Sequence, residues 1–349
     1  MNHSKQLLLK FLLGSGLLRL LVTNQRNKIT ILMLHGVIDT SSAPAWTPLR
    51  SRLTTEQLSQ TLSVLAQYYN FVSLPEVAEM LSGIRPIVPN SLALTFDDGY
   101  RNSLIFAVPV LRKFKAPATI FLCTGNVTEQ TPFWFDRLDY AVQSMNDDTI
   151  SHRGIPELAE IDFSNRERLI SSFISFIRKE KKRYQTNTAM CSSINNLIER
   201  IEQRSGHGLT KIFADDPFSG VLTWEEVRQI VPDIHYGSHG VNHLQLNITP
   251  PYITKQELIR SREAIEFHTG HPCTDLAYPF GSFNDEIISM VKICNYHSAV
   301  TTKYGINKQG DNLLTLRRIA FPRTNSPAEI IATVSGLTNQ LHKINNKLS

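Results

Sequence analysis

The run Thr95-Phe96-Asp97-Asp98-Gly99-Tyr100 sets two adjacent carboxylates just after the apolar stretch Ser91-Leu92-Ala93-Leu94, where a buried strand would open into a glycine turn. Adjacent acids at a strand end can divide a task. One ligates a metal while its neighbour moves protons, the pairing that metal-assisted hydrolysis requires. Downstream, Ser238-His239-Gly240-Val241-Asn242-His243 spaces two imidazoles so that a helical turn or a tight loop lets both face one ion, and Asp98 would complete an Asp-His-His set. Three protein ligands leave positions open for water and substrate, as in a catalytic site rather than a closed structural one. A third element, Ala277-Tyr278-Pro279-Phe280-Gly281-Ser282, follows. A turn acid or a core histidine alone has an ordinary structural explanation; the three together carry the chemical reading.

At these three motifs the chain resembles the NodB-type polysaccharide deacetylases, carbohydrate esterase family 4, across residues 29 to 325 with a weaker stretch from 145 to 220. The resemblance implies Asp97 as general base and Asp98, His239 and His243 as ligands of a divalent ion, usually Zn2+, with Co2+, Mn2+ or Ni2+ as substitutes. It also implies that the backbone N–H of Phe280 helps to hold the oxyanion. Many relatives carry an arginine that steadies the base, at the position where this chain has Ala277. Arg101, Arg137, Arg317 and Arg318 remain open as its replacement. Many relatives also take their general acid from a Leu-His pair near the C-terminus, and here Leu341-His342 lies in a polar tail unlike a barrel strand. The early run Ile29-Thr30-Ile31-Leu32-Met33-Leu34 ends at His35-Gly36-Val37 and resembles the opening of exopolysaccharide deacetylases whose motif order is permuted. His35 is therefore the expected acid. Tyr100, Trp134 and Tyr278 are the expected substrate contacts.

Apolar strand-like runs alternate with helical patterns, which argues for a mostly parallel α/β architecture; with the resemblance, the expected fold is a distorted (β/α)7-type TIM-like barrel with a helical insertion. The strand candidates are Ile29 to Leu34, Ser91 to Phe96, Ala118 to Cys123, Ile234 to Gly237, Leu276 to Tyr278 and Ser298 to Thr302. Thr54 with Gln57 and Thr223 with Glu226 have capping-box spacing and predict helices over Thr55 to Gln67 and Trp224 to Ile230. Asp97, Asp98, His239 and the Phe280 loop all follow C-terminal strand ends, where barrel active sites gather. Between residues 143 and 220 the chemical motifs stop and helical runs such as Arg166 to Arg183 and Ser193 to Arg204 intervene, an insertion expected to cap the site. Phe133-Trp134-Phe135 just before it suits either a sugar-stacking groove or core packing.

With 349 residues, 42% of them hydrophobic, the chain can bury a sizeable core, and a barrel uses such a length in one domain. The domain is expected over 29–349, after an amphipathic helical segment at 1–28. The net charge of +5 is spread thinly apart from Arg178-Lys179-Glu180-Lys181-Lys182-Arg183, which reads as a solvated helix end. A basic face with interleaved aromatics is missing from the sequence, so nothing points to nucleic acid. Cys123, Cys191, Cys273 and Cys294 have neither metal-site nor disulfide-framework spacing. Residues 7–22 are too short and too interrupted by Lys10 and Arg19 to match the roughly 20 apolar residues of a membrane span, and no small-residue cleavage site follows them. They are expected to pack on the barrel, with peripheral contact to the inner membrane as the alternative, and a cytoplasmic or inner-membrane-peripheral location follows. The expected activity is metal-dependent removal of N-acetyl groups from an amino sugar of a polysaccharide or glycan. Deacylation or deformylation of a lipid-linked sugar, and a catalytically weak glycan-binding role, are the alternatives.

Overall fold

The structure, a computed structural model, describes residues 22–23, 25–39, 46–50, 52–145, 155–229 and 234–337. Seven parallel strands form its centre: β1 Lys28–Leu34, β2 Ser91–Phe96, β3 Ala118–Leu122, β4 Ile234–Ser238, β5 Asp275–Ala277, β6 Ser298–Tyr304 and β7 Leu316–Ala320. They pair in the order β1-β7-β6-β5-β4-β3-β2, and β2 pairs again with β1. The register Ile29↔Ser91 to Leu34↔Phe96 on one side of β1 and Leu32↔Ile319 on the other closes the sheet into a distorted (β/α)7 barrel. Six of these strands match the expected runs to within a residue or two at most ends. The seventh, Leu-Arg-Arg-Ile-Ala, was not among the expected runs.

Strand alternation explains where the chemistry sits, since successive side chains point to opposite faces. Ile29, Ile31, Ala93, Phe121, Ala277, Val300 and Leu316 form one buried cluster inside the barrel. Leu32, Leu34, Leu92, Leu94, Ile120, Leu122, Leu276, Ala299 and Ile319 belong to a second, packed against the outer helices. Extending the inward series leads from Ile29 and Ile31 to His35, from Ala93 and Thr95 to Asp97, from Gly237 to His239, and from Leu316 to Arg318. Four functional candidates thus share the inward parity at one end of the barrel. Gly237 belongs to this face because a Cβ there would lie 2.5 Å from the Phe121 ring that fills the interior. Between β6 and β7 the register shifts from Leu316↔Val300 to Arg318↔Tyr304. The shift amounts to two extra residues on β6, so the alternation that carries Leu316 inward carries Arg318 inward as well.

Both predicted capping boxes are present: Thr54 and Gln57 open Thr55–Leu65, and Thr223 and Glu226 open Trp224–Arg228. Ile230 lies outside the described residues, as do His342 and residues 7–21. Val22 is described, and it is buried in the outer cluster. Among the described residues no helix is long and apolar enough to cross a membrane. The inserted helices Arg166–Arg183 and Asn187–Ser205 pack with Trp134–Gln143 around a separate apolar cluster that includes Leu138, Phe173, Ile194 and Ile198. The four cysteines are free thiols.

Candidate active site

Asp97 continues the β2 ladder, its N–H donating to the Leu34 carbonyl at 2.9 Å, which sets it beside His35. Both of its carboxylate oxygens accept from Arg318, Oδ1 from Nη1 and Oδ2 from Nη2, each at 2.7 Å. Arg318 also donates to Thr95 Oγ1 at 3.0 Å and, through Nε, to the Thr301 carbonyl at 2.9 Å. The pair is buried, with side-chain exposure of 0% for the arginine and 4% for the acid. Burial pushes the Asp97 carboxyl upward, but the Arg318 charge and its hydrogen bonds outweigh that and hold it below the usual carboxylate range. Of the four candidate arginines, Arg318 is the one that pairs with Asp97. The other three candidates are engaged elsewhere: Arg101 with Glu226, Arg137 with Glu202, and Arg317 with Asp311 and Asn307.

Asp98 would point outward by strand parity. Its backbone instead turns left-handed, φ 77° followed by φ 75° at Gly99, and the carboxylate returns to the barrel mouth. Oδ1 lies 3.5 Å from His239 Nε2 and 3.4 Å from His243 Nε2. The candidate ligand atoms of these three buried residues lie within 4.8 Å of one another. Tetrahedral ligands bonded at about 2.0–2.1 Å stand about 3.3 Å apart, so the donor set fits a divalent cation with its nitrogen and oxygen ligands. Burial raises Asp98, yet hydrogen bonding to both imidazoles holds it well below the ordinary carboxylate range. Burial likewise lowers His239, but Asp98 outweighs it and the net shift is upward. His243 goes the other way, with burial dominant over Asp98.

The histidines are held by different means. His239 Nδ1 is 2.7 Å from the Ala277 carbonyl, which leaves Nε2 facing Asp98. Nδ1 of His243 has no hydrogen-bond partner among the described residues; its ring is instead fixed by Phe133, Phe135 and Phe280, with centroids at 5.8, 5.7 and 4.4 Å. The HxxxH segment is a loop, not a helical turn, and His243 has φ 52°. Glu257 organises this loop by accepting from the N–H groups of Val241 and Asn242 at 2.9 and 2.8 Å and from Asn242 Nδ2 at 2.7 Å. Phe280 also has positive φ, 57°. Asp98, His243 and Phe280 thus all occupy backbone conformations that L residues adopt only when their surroundings impose them.

His35 extends from the end of β1 into electrostatic range of Asp97, Asp98, Arg318 and Arg50. Burial among protein groups lowers its pKa, with the two carboxylates opposing, although its ring reaches solvent through an open cavity. Two of the three expected aromatic substrate contacts, Tyr100 and Tyr278, are corrected by the structure. Tyr100 is fully buried with its hydroxyl donating to Asp136 Oδ2 at 2.6 Å, and Tyr278 is buried with its hydroxyl donating to the Leu314 carbonyl at 2.9 Å. Trp134 packs edge-on to Phe135 and borders the inserted helices. Phe133 and Phe135 stack on each other and back His243 rather than lining a groove.

Two contributions from outside the motifs were missed. The charged run 178–183 is not wholly a solvated helix end: the Lys181 ammonium lies 4.4 Å over the Phe280 ring. Burial, with the Arg50 charge second, lowers its pKa to about 8. No feature of the sequence singles it out from Lys179 or Lys182. The second contribution is the loop before Thr55–Leu65, which carries Arg50 with its guanidinium 4.3 Å over the Phe135 ring. Asp136 accepts from Arg50 at 2.6 Å, and Asp139 accepts from the Leu49 N–H at 3.0 Å; both acids lie one turn apart on Trp134–Gln143.

Residues 86–299 match the family profile described as polysaccharide deacetylase. The chain is 26% identical over 99 residues to YxkH of Bacillus subtilis (strain 168), and that match spans 28% of this chain and 36% of the relative. The fold is similar to that of the Streptococcus pyogenes deacetylase PplD in complex with acetate, with a TM-score of 0.56 at 20% identity over 88% of this chain and 99% of the other. It is also similar to BC0361, a polysaccharide deacetylase from Bacillus cereus, with a TM-score of 0.53 at 18% identity over 88% and 69% of the two chains. The chain belongs to the polysaccharide deacetylase family.

Arg318→Gln is expected to cost about 3–5 kcal/mol of stability by leaving Asp97 as an uncompensated buried charge. Adding Asp97→Asn should recover part of that loss. Denaturant unfolding in chelator measures both, and a neutral single substitution would mean that the pair does not hold the barrel mouth. Lys181→Met should keep the fold while lowering kcat/KM about tenfold, a loss near 1.4 kcal/mol. It should also remove an ionisation near pH 8 from the alkaline side of the rate profile; an unchanged profile would leave Lys181 a packing residue.

Proposed function

We propose that this chain is a metal-assisted hydrolase that removes N-acetyl groups from an amino sugar within a glycan, giving a free amine and acetate. The observation that carries the reading is the opposite company kept by two neighbouring carboxylates: Asp97 has a guanidinium and Asp98 has two imidazoles. The partner is an N-acetylated glycan or polysaccharide.

Asp98, His239 and His243 would hold the divalent ion, Zn2+ or a similar cation. When bound, it supplies Lewis-acid polarisation of the acetamide carbonyl and lowers the pKa of adjacent water. Asp97 is ionised at neutral pH because Arg318 holds its pKa down, and each of its oxygens keeps a lone pair beyond the arginine contact. It takes the proton of the attacking water. Arg318 fixes the orientation of that carboxylate through two parallel bonds. The Phe280 N–H stabilises the developing oxyanion, in a turn held open by its left-handed backbone. His35, from the opposite wall, protonates the departing amine. Arg318 also removes the feature that favoured a binding-only protein, namely a base without its arginine.

Acetate release from chitin oligomers and from a water-soluble polymer, with and without added zinc, is the direct assay. Asp97→Asn should keep the metal and lose about 10²- to 10⁴-fold in turnover, whereas Asp98→Asn, His239→Ala and His243→Ala should lose metal and activity together. Equal metal content in the two carboxylate variants would dissolve the division of labour. His35→Ala should damage amide hydrolysis more than hydrolysis of an acetate ester with a good leaving alcohol, because that alcohol needs less protonation. Equal losses on both substrates would remove His35 from the acid role.

A further inference from the structure

His239 and His243 are tied to the barrel by different means, and the difference puts weight on the chain between them. The His239 ring has the Ala277 carbonyl at Nδ1, whereas His243 Nδ1 meets no hydrogen-bond partner among the described residues. The place of the His243 imidazole therefore depends on its backbone, held at φ 52°, and on the rings around it. That backbone is gripped along both edges. On one edge the carbonyls of His239, Gly240 and Val241 accept from the Cys123 thiol at 3.4 Å, the Thr124 N–H at 3.1 Å and the Gly125 N–H at 2.9 Å. On the other edge stands buried Glu257, from the helix Pro251–Thr269. Its Oε2 accepts from the N–H groups of Val241 and Asn242 at 2.9 and 2.8 Å, and its Oε1 accepts from Asn242 Nδ2 at 2.7 Å. Gly125 leaves room for this approach, because a Cβ there would lie 2.6 Å from the Val241 carbonyl oxygen. Neither Gly125 nor Glu257 belongs to the three motifs.

We infer that Glu257 and Gly125 are positioning residues that hold the 239–243 loop in its ligating shape before a cation arrives. The inference rests on the proposed role of Asp98, His239 and His243 as ligands. A non-glycine residue at positive φ costs free energy, so a loop without the clamp would relax away from this shape. The cation would then have to reorder it at the expense of affinity. A carboxylate suits the task, because one oxygen accepts from two adjacent N–H groups while the other takes the Asn242 amide. Groups that orient metal ligands in this way typically set metal affinity by about 10- to 100-fold.

The test uses the full chain stripped of metal by chelator, with two readouts. Amide hydrogen exchange is followed by mass spectrometry on peptides spanning 239–243, and zinc is titrated against a competing dye. In the stripped wild type the Val241 and Asn242 amides should exchange slowly. Glu257→Gln turns one acceptor into a donor facing the Asn242 amide; it should speed that exchange and weaken zinc binding, each by about tenfold or more. Asn242→Asp alone should act likewise by setting two carboxylates together. The two substitutions combined restore the hydrogen-bond pattern with donor and acceptor exchanged, and should recover most of both losses. Gly125→Ala leaves the Glu257 carboxylate intact and should also weaken zinc. Melting of each variant in chelator is recorded alongside. Rapid exchange in the stripped wild type, a Glu257→Gln that changes only the melting temperature, a double variant no better than the singles, or a Gly125→Ala with unchanged zinc affinity would overturn the clamp. A wild type that takes up no zinc would remove the metal reading, while the exchange rates would still decide the clamp.

Discussion

The barrel mouth depends on one buried ion pair. Arg318 has no business inside a barrel except as the partner of Asp97, and Asp97 can stay ionised there only because the guanidinium meets both its oxygens. The same arginine bonds Thr95 on β2 and the Thr301 carbonyl on β6, so a single side chain ties three strands around the base. Strand alternation aims Arg318 into the barrel and Ile319 toward the outer helices, and the register shift between β6 and β7 lies beside this pair. Where the resemblance leads one to expect an arginine the chain has Ala277 on β5, and the charge beside Asp97 comes from β7, two strands away.

Around that fixed pair the chain tolerates backbone strain. Asp98, His243 and Phe280 all have positive φ, each at a cost of order 1–3 kcal/mol, and His243 is held from outside its own turn. Gly99 continues the turn at Asp98, Glu257 fastens the His243 loop, and the aromatic cluster of Phe133, Phe135 and Phe280 wedges the His243 ring. The strain is what lets an outward-parity residue, Asp98, face the same space as inward-parity His239.

How far the sequence reveals this follows from the range of each interaction. Strand runs, capping boxes and the three motifs are local, so β1 to β6, the helix starts at Thr55 and Trp224 and the Asp-His-His set could all be read directly. Arg318 could be named only as one of four candidates, because its pairing with Asp97 joins residues 221 positions apart. β7 was missed, its two arginines masking a half-inward strand. Lys181 was hidden among equivalent neighbours in a charged run, and only the docking of the inserted helix distinguishes it. Tyr100 and Tyr278 misled because proximity to a motif in sequence says nothing about which face an aromatic ring takes.

The distribution of charge gives the site its asymmetry. Two adjacent buried carboxylates repel one another, and both stay ionised only if each has its own counter-charge. Asp97 receives a permanent one from the protein. Asp98 receives only two imidazoles, one shifted up by its company and the other down by burial, so it retains charge for an exogenous cation to neutralise. Arg50 and Lys181 stand on aromatic rings on either side of His243, beyond contact with that cluster. They come from the loop before the first helix and from the insertion, the parts of the chain furthest from the shared motifs. The motif residues therefore sit at the strand ends, while further charges reach the barrel mouth from elements added around them.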